Sequence, residues 1–250
     1  MFIPIRDYIP ARRKPVVTYA LLAFNVIVWL WQYSLGLAGA AWVIPGYGMV
    51  PSRLSLDPSG EAFTLLSSMF MHGDWLHLGG NMLFLHVFGD NVEDALGSPR
   101  FLGFYLLCGI VASLGHYLVD PASQAPLVGA SGAIFGVLGA YMVLYPRAPI
   151  SVLNPYFLLW FFIGPVPVFP AWFVVGGYFV LDLVRGYVSL GVEGGGGIAY
   201  FAHVAGFAAG LLLVRWWVKA HRVSRDPGVQ WRPPPGGPPP PSEWRGIRRR

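Results

Sequence analysis

Charge is what this chain has least of. Asp, Glu, Lys and Arg make up 12% of its 250 residues and hydrophobic residues 55%, against roughly 25% charged in an ordinary soluble domain. So few charges cannot cover a water-facing surface of this size, whereas a lipid-facing surface needs none. Cysteine is nearly absent as well. Cys108 stands alone in an apolar run, which excludes an intramolecular disulfide and leaves a buried, inert thiol as its reading. The net charge of +5 is no nucleic-acid signature, because the basic residues gather at Arg6, Arg12, Arg13 and Lys14 and again from Arg215 to Arg250. Metal-ligand patterns are missing too. His72 and His77 lie five apart and do not share a helical face, and with Asp74 they form no HExxH-like arrangement. No metal or cofactor is therefore expected.

What the chain does have is hydrophobic length. Apolar runs able to cross, or nearly cross, a core of roughly 30 Å fall at 16–37, 77–96, 100–119, 131–146, 171–187 and 198–219. They predict an all-α, polytopic membrane protein of six transmembrane helices, with the ten Trp and twelve Tyr suited to anchoring at two interfaces. The first run precedes Ala38-Gly39-Ala40 and follows basic residues, as in a secretory signal. At about 20 residues it exceeds the roughly 7–15 of a signal's apolar region and reads as a retained helix. A seventh apolar stretch, 150–169, is broken by Pro155, Gly164, Pro165 and Pro167. It reads as a connection that partly re-enters or lies along the interface, with a seven-helix count as the alternative.

Lys and Arg in the flanks orient the bundle. With both termini cytoplasmic, one side holds Arg6, Arg12, Arg13, Lys14, Arg100, Arg147 and the C-terminal basic set, the other only Arg53 and Arg185. The organisation expected is a cytoplasmic segment at 1–15, a membrane domain at 16–219 and a Pro/Arg-rich cytoplasmic tail at 220–250, in an inner cell membrane. Residues 38–76 form a long external connection, of a length that is usually functional, and 188–197 a glycine-rich external loop. The tail cannot bury a core. A solvated tail and a weak contact with a partner or anionic lipid both remain open.

Polar groups inside apolar segments are costly and usually functional. Gly129-Ala130-Ser131-Gly132 opens the fourth run. A serine there sits where unpaired N–H groups and the positive helix end can stabilise an oxyanion, or it is an N-cap before a packing helix. His203 shares a helical face with Gly206 and Gly210, which would let a neighbouring helix approach closely, though such a histidine can also be a packing residue. His77 and Asn81 lie four apart at the start of the second run, near His72, and read either as oxyanion donors or as a polar helix start. Glu93, Asp94, His86 and His116 read as structural, and Asp182 and Arg185 as a pair near the end of the fifth run.

Together these parts resemble the rhomboid family of intramembrane serine proteases in its basic six-helix form. The resemblance rests on HxxxxHxxxN from His72 to Asn81, GxSG at Ser131 and AHxxGxxxG around His203, each on its expected helix. It implies Ser131 as nucleophile and His203 as general base, a dyad with no carboxylate. Asn81 and His77, with the backbone N–H of Ser131, would form the oxyanion hole, His72 would support that network, and Phe135 would pack on the catalytic imidazole. Gly129 and Gly206 would let the backbones come close. The implied substrates are transmembrane protein segments reached through the bilayer, with the fifth helix as gate. One departure stands out: Phe63 and Thr64 replace the Trp-Arg pair that many rhomboids carry eight or nine residues before the first motif histidine. Two rival readings use the same fold or cavity, a client-binding member without activity and a small transporter.

Overall fold

A computed structural model describes residues 2–189 and 199–218. Most of the glycine-rich loop and the whole 220–250 tail lie outside the described residues. Six long helices carry the structure: α1 (Val16–Ser34), α2 (Trp75–Leu96), α3 (Ser98–Val119), α4 (Ser131–Leu144), α5 (Ala171–Ser189) and α6 (Ala199–Trp217). They match the six apolar runs to within a few residues. Among the described residues, α1, α3 and α5 are long and apolar enough to cross a membrane, and α4 is a shorter apolar helix.

Helix α4 lies at the centre. Every residue from Gly132 to Tyr141 is buried, as expected of a helix that is apolar all round. It packs chiefly on α6, then on α3 and α2, while α5 rests on α6 and more lightly on α4. Small residues make this possible. A Cβ on Gly206 would sit 2.1 Å from the Gly132 carbonyl oxygen, and one on Gly210 would sit 1.9 Å from that of Gly136. Any side chain at either position would push α4 and α6 apart. The outer faces of α1 and α5 instead expose Phe24, Ile27, Leu30, Val180 and Val184, the surface a bilayer covers.

Buried polar groups settle the helix ends. Glu93 of α2 is 2% exposed and accepts from the Val17 N–H (3.0 Å), the Thr18 N–H (2.7 Å) and the hydroxyls of Thr18 (2.8 Å) and Ser98 (2.6 Å). It thus supplies acceptors to the orphan first-turn donors of α1, where a negative charge also meets the positive dipole end. Asp74 caps α2, accepting from the His77 N–H at 2.8 Å.

Not everything is helical. Residues Ile3–Asp7 (β1), Pro149–Leu153 (β2) and Val168–Pro170 (β3) form an antiparallel sheet in the order β1-β2-β3. Ile3 pairs with Leu153 and Asp7 with Ile150, with a bulge between Pro4 and Arg6. The broken stretch 150–169 is therefore a strand–turn–strand hairpin, and no seventh long helix occurs among the described residues. Its tip exposes Phe157, Leu158, Phe161 and Phe162, and no charged residue occurs between Arg147 and Asp182.

The long connection after α1 is built from short helices at Gly36–Tyr47, Pro51–Leu56, Pro58–Glu61 and Thr64–Ser67. In this connection Phe63 is half exposed and Thr64 is buried. The connection has its own ion pair, Arg53 to Glu61, with the Arg53 Nε donating at 2.9 Å. Met49 and Leu127 exchange backbone hydrogen bonds of 3.0 and 2.8 Å, and these pin the connection to the strand-like segment that leads into Ser131.

Candidate active site

Three helices converge at one end of the bundle. Ser131 is the first residue of α4, one past the N-cap Ala130, so the N-cap reading does not hold. Its Oγ lies 2.7 Å from His203 Nε2 on α6. The close α4–α6 approach at Gly206, one turn beyond His203, brings the two side chains within hydrogen-bond reach. Phe135, one turn into α4, lies flat on the imidazole with ring centroids 4.3 Å apart and planes at 5°.

The expectation of an imidazole without a carboxylate partner is corrected by the structure. His203 Nδ1 lies 2.7 Å from Asp182 Oδ2 on α5, and Asp182 is 5% exposed. The pairing read from sequence survives only as a longer contact: Arg185 Nη1 stands 3.8 Å from the other carboxylate oxygen, Oδ1. Sequence reasoning missed the His203–Asp182 contact because the two residues lie on different helices. The available signal was that Asp182 is the first charged residue after Arg147.

The second group of candidates lies across the cavity. His77 and Asn81 occupy successive turns of α2, and Gly129 lies against both. A Cβ at Gly129 would sit 2.5 Å from His77 Nε2 and 3.5 Å from Asn81 Nδ2, and its φ of +115° is one that side chains rarely adopt. Gly129 is thus required by space and by backbone shape. Its N–H donates to the Ser68 carbonyl at 2.9 Å, which sets the chain just ahead of Ser131. Asn81 is 7% exposed and its Nδ2 has no hydrogen-bond partner. An unsatisfied buried amide donor of this kind calls for an explanation. At His77, Nδ1 accepts a long 3.5 Å hydrogen bond from the Gly73 N–H, an arrangement that leaves Nε2 as the protonated nitrogen.

His72 sits behind His77, with ring centroids 5.2 Å apart, and is fully buried. Its backbone is held at both ends by one side chain: Gln32 Oε1 accepts from the His72 N–H at 3.1 Å and Gln32 Nε2 donates to the His72 carbonyl at 3.3 Å. Asp74, a component of the metal arrangement considered above, is occupied as the α2 cap.

A cavity of about 360 Å³ joins the two groups, lined among others by His77, Asn81, Ser131, Tyr178, Asp182 and His203. A wider depression, about 720 Å³, lies elsewhere against Arg12, Arg13, Lys14 and Asp90 and is lined by no serine, cysteine or histidine. The fold and this site define a multi-pass membrane protein with a hydroxyl, an imidazole and a carboxylate in series inside its helical bundle.

The comparisons with known proteins give the family. Residues 59–220 match the rhomboid domain model, and the chain belongs to the rhomboid family. It is 32% identical to "Rhomboid protein 1, mitochondrial" of Saccharomyces cerevisiae over 91% of this chain and 60% of that protein. It is 32% identical to "Putative rhomboid protease YdcA" of Bacillus subtilis over 53% of this chain and 64% of that protein. With "Rhomboid protease GluP" of the same organism the identity is 35%, over 52% of this chain and 24% of that protein. The chain thus spans less than two thirds of each of these relatives.

Proposed function

We propose that this chain is an intramembrane serine endopeptidase that cleaves transmembrane or membrane-proximal segments of other membrane proteins. The observation that carries the reading is the 2.7 Å contact between Ser131 Oγ and His203 Nε2 at the edge of a cavity inside an apolar bundle. Six spans with both termini on the basic, cytoplasmic side are part of the proposal, with the lipid bilayer as the medium from which the substrate arrives.

The steps follow from the arrangement. Ser131 Oγ attacks the scissile carbonyl carbon while His203 Nε2 takes its proton. The carbonyl oxygen gains a negative charge, and the donors in reach are the Ser131 N–H at the open helix start, His77 Nε2–H and the unpartnered Asn81 Nδ2. Donors already oriented cost nothing to rearrange, and one such donor contributes about 10²–10³ in rate. The imidazolium returns its proton to the leaving amine, and water releases the acyl group by the same route. Phe135 holds the ring plane throughout. A substrate helix must unwind locally, because its backbone hydrogen bonds otherwise shield the scissile carbonyl. Helix α5, whose outer face exposes Val180, Leu183 and Val184, is the candidate gate.

Labelling the detergent-solubilised full chain with a fluorescent fluorophosphonate tests this reading. Labelling is expected in the wild type and lost in Ser131→Ala and His203→Ala. Equal labelling of all three would refute the assignment. A folded wild type that never labels would favour the client-binding reading.

A further inference from the structure

The hydrolase reading above uses Ser131, His203 and the α2 donors and leaves the carboxylate on α5 without a role. Asp182 is 5% exposed in a helix half whose neighbours face lipid: Leu183, Val184, Tyr187 and Val188 are all exposed. An acidic group buried at this depth needs a partner of comparable strength. Arg185 does not account for it. That pair is 3.8 Å apart and the Arg185 side chain is 47% exposed, the kind of ion pair that contributes little. The short contact is the one to His203 Nδ1, at 2.7 Å.

We propose that Asp182 is a positioning residue for His203, and that its place on α5 makes the alignment of the base depend on where α5 sits. The proposal rests on the hydrolase reading. A carboxylate on Nδ1–H fixes the tautomer that presents the Nε2 lone pair to Ser131 Oγ, orients the ring, and stabilises the imidazolium once the proton has moved. The proton travels from Oγ to Nε2 and on to the leaving amine, and none passes to the carboxylate. Phe135 already restrains the plane of the ring, with planes at 5°. Rotation within that plane is what stacking leaves free, and the Nδ1 contact removes it.

The attachment of α5 gives this contact a second consequence. At the sheet end, α5 is clamped: the Ala171 N–H donates to the Ala148 carbonyl and the Trp172 N–H to the Pro146 carbonyl, both at 2.8 Å, and the Tyr178 hydroxyl donates to the Phe2 carbonyl at 2.5 Å. Toward the site end, α5 is held to α6 by the Phe179–Phe207 stack, with centroids 4.5 Å apart, by Gly186 against Phe201, and by Asp182 itself. Toward α2 there is the Phe84–Tyr178 edge contact at 4.8 Å. Lateral opening between α5 and α2 hinges at the clamped end and carries Asp182 away from His203. The base is then aligned only when α5 has returned, so a segment that enters past α5 is not attacked until the helix closes behind it.

The test uses fluorophosphonate labelling of the full chain, resolved into a maximal rate and a half-saturating probe concentration, alongside thermal unfolding. Asp182→Asn, which keeps the side-chain volume and one acceptor oxygen, is expected to lower the maximal rate on the order of 10²-fold with half-saturation unchanged and the melting midpoint little moved, and Asp182→Glu to recover part of the loss. A merely structural aspartate would move the midpoint and show no Glu rescue. Phe179→Ala, which loosens α5 without touching the site, is expected to slow labelling about tenfold in the wild type and less than about twofold in Asp182→Asn, because coupled residues act non-additively. Wild-type rates in a labelled Asp182→Asn protein would overturn the positioning role. Equal effects of Phe179→Ala in both backgrounds would overturn the link to α5. A wild type that does not label would instead sink the hydrolase reading beneath both.

Discussion

Gly206→Ala adds one methyl group where two helix backbones touch. That methyl would sit 2.1 Å from the Gly132 carbonyl oxygen and 3.4 Å from Ala112 Cβ. A carbon–oxygen contact relaxes to about 3.3 Å, so α4 and α6 must separate by roughly 1 Å at this level. Gly132 follows Ser131 and His203 lies one turn before Gly206, so the separation passes directly into the Ser131–His203 pair. Starting from 2.7 Å, that distance would exceed the roughly 3.2 Å limit of a good hydrogen bond. Misplacement by about 1 Å costs on the order of 10²-fold in rate, and overpacking costs about 1–3 kcal/mol in stability. Gly210→Ala is the control. Its methyl would meet the Gly136 carbonyl oxygen at 1.9 Å, a comparable overpacking one turn further from the pair. Both variants should lower the melting midpoint similarly, and Gly206→Ala should lose more fluorophosphonate labelling. Gly206→Ala with wild-type labelling and an unchanged midpoint would refute the reasoning, since it would mean that the helices are not in backbone contact there.

Asn81→Ala should lower the maximal labelling rate about 10²–10³-fold, the contribution of one oxyanion donor, with little change in melting because Nδ2 has no partner to lose; a large drop in the midpoint would argue for a packing role instead. Burial among Tyr141, Asn91 and β1 pushes the Asp7 carboxyl up from 3.8 to about 8, a rise only partly countered by the Tyr141 hydrogen bond and reinforced by Asp90. The folded chain therefore keeps this proton while the unfolded chain releases it, so this group's contribution to stability falls as pH rises from about 4 to 8 and is level above. Melting of Asp7→Asn should depend less on pH across that window, and parallel curves would contradict the burial argument. The hairpin tip, uncharged and exposing Phe161 and Phe162, should lie in lipid. An environment-sensitive fluorophore on Phe161→Cys, in a Cys108→Ala background, should emit to the blue in liposomes, and water-like emission would place the tip in solvent.

Much of this protein is legible in one dimension because its solvent is lipid. An apolar run long enough to span reports a helix without knowledge of its neighbours, and the six runs found the six long helices. Ser131, His203, His77 and Asn81 were legible for a related reason: polar groups among apolar ones need a purpose, and their spacing to glycines is local. Whether the Ser131 side chain caps its helix was not, since a capping and a non-capping serine both begin a helix and only the partner of Oγ separates them. The sheet was hidden because β1 pairs with a strand more than 140 residues away, and five extended residues near a terminus announce no partner. Asp182 was hidden most deeply. Beside Arg185 it offers a sufficient local partner, and nothing in its own helix says that one carboxylate oxygen faces His203 on the next. Hydrophobic length and small-residue spacing are properties of a segment, so the sequence alone determined the helices and the candidates. Which polar group meets which depends on the rotation and depth of each helix against the others, and only the tertiary packing decided that.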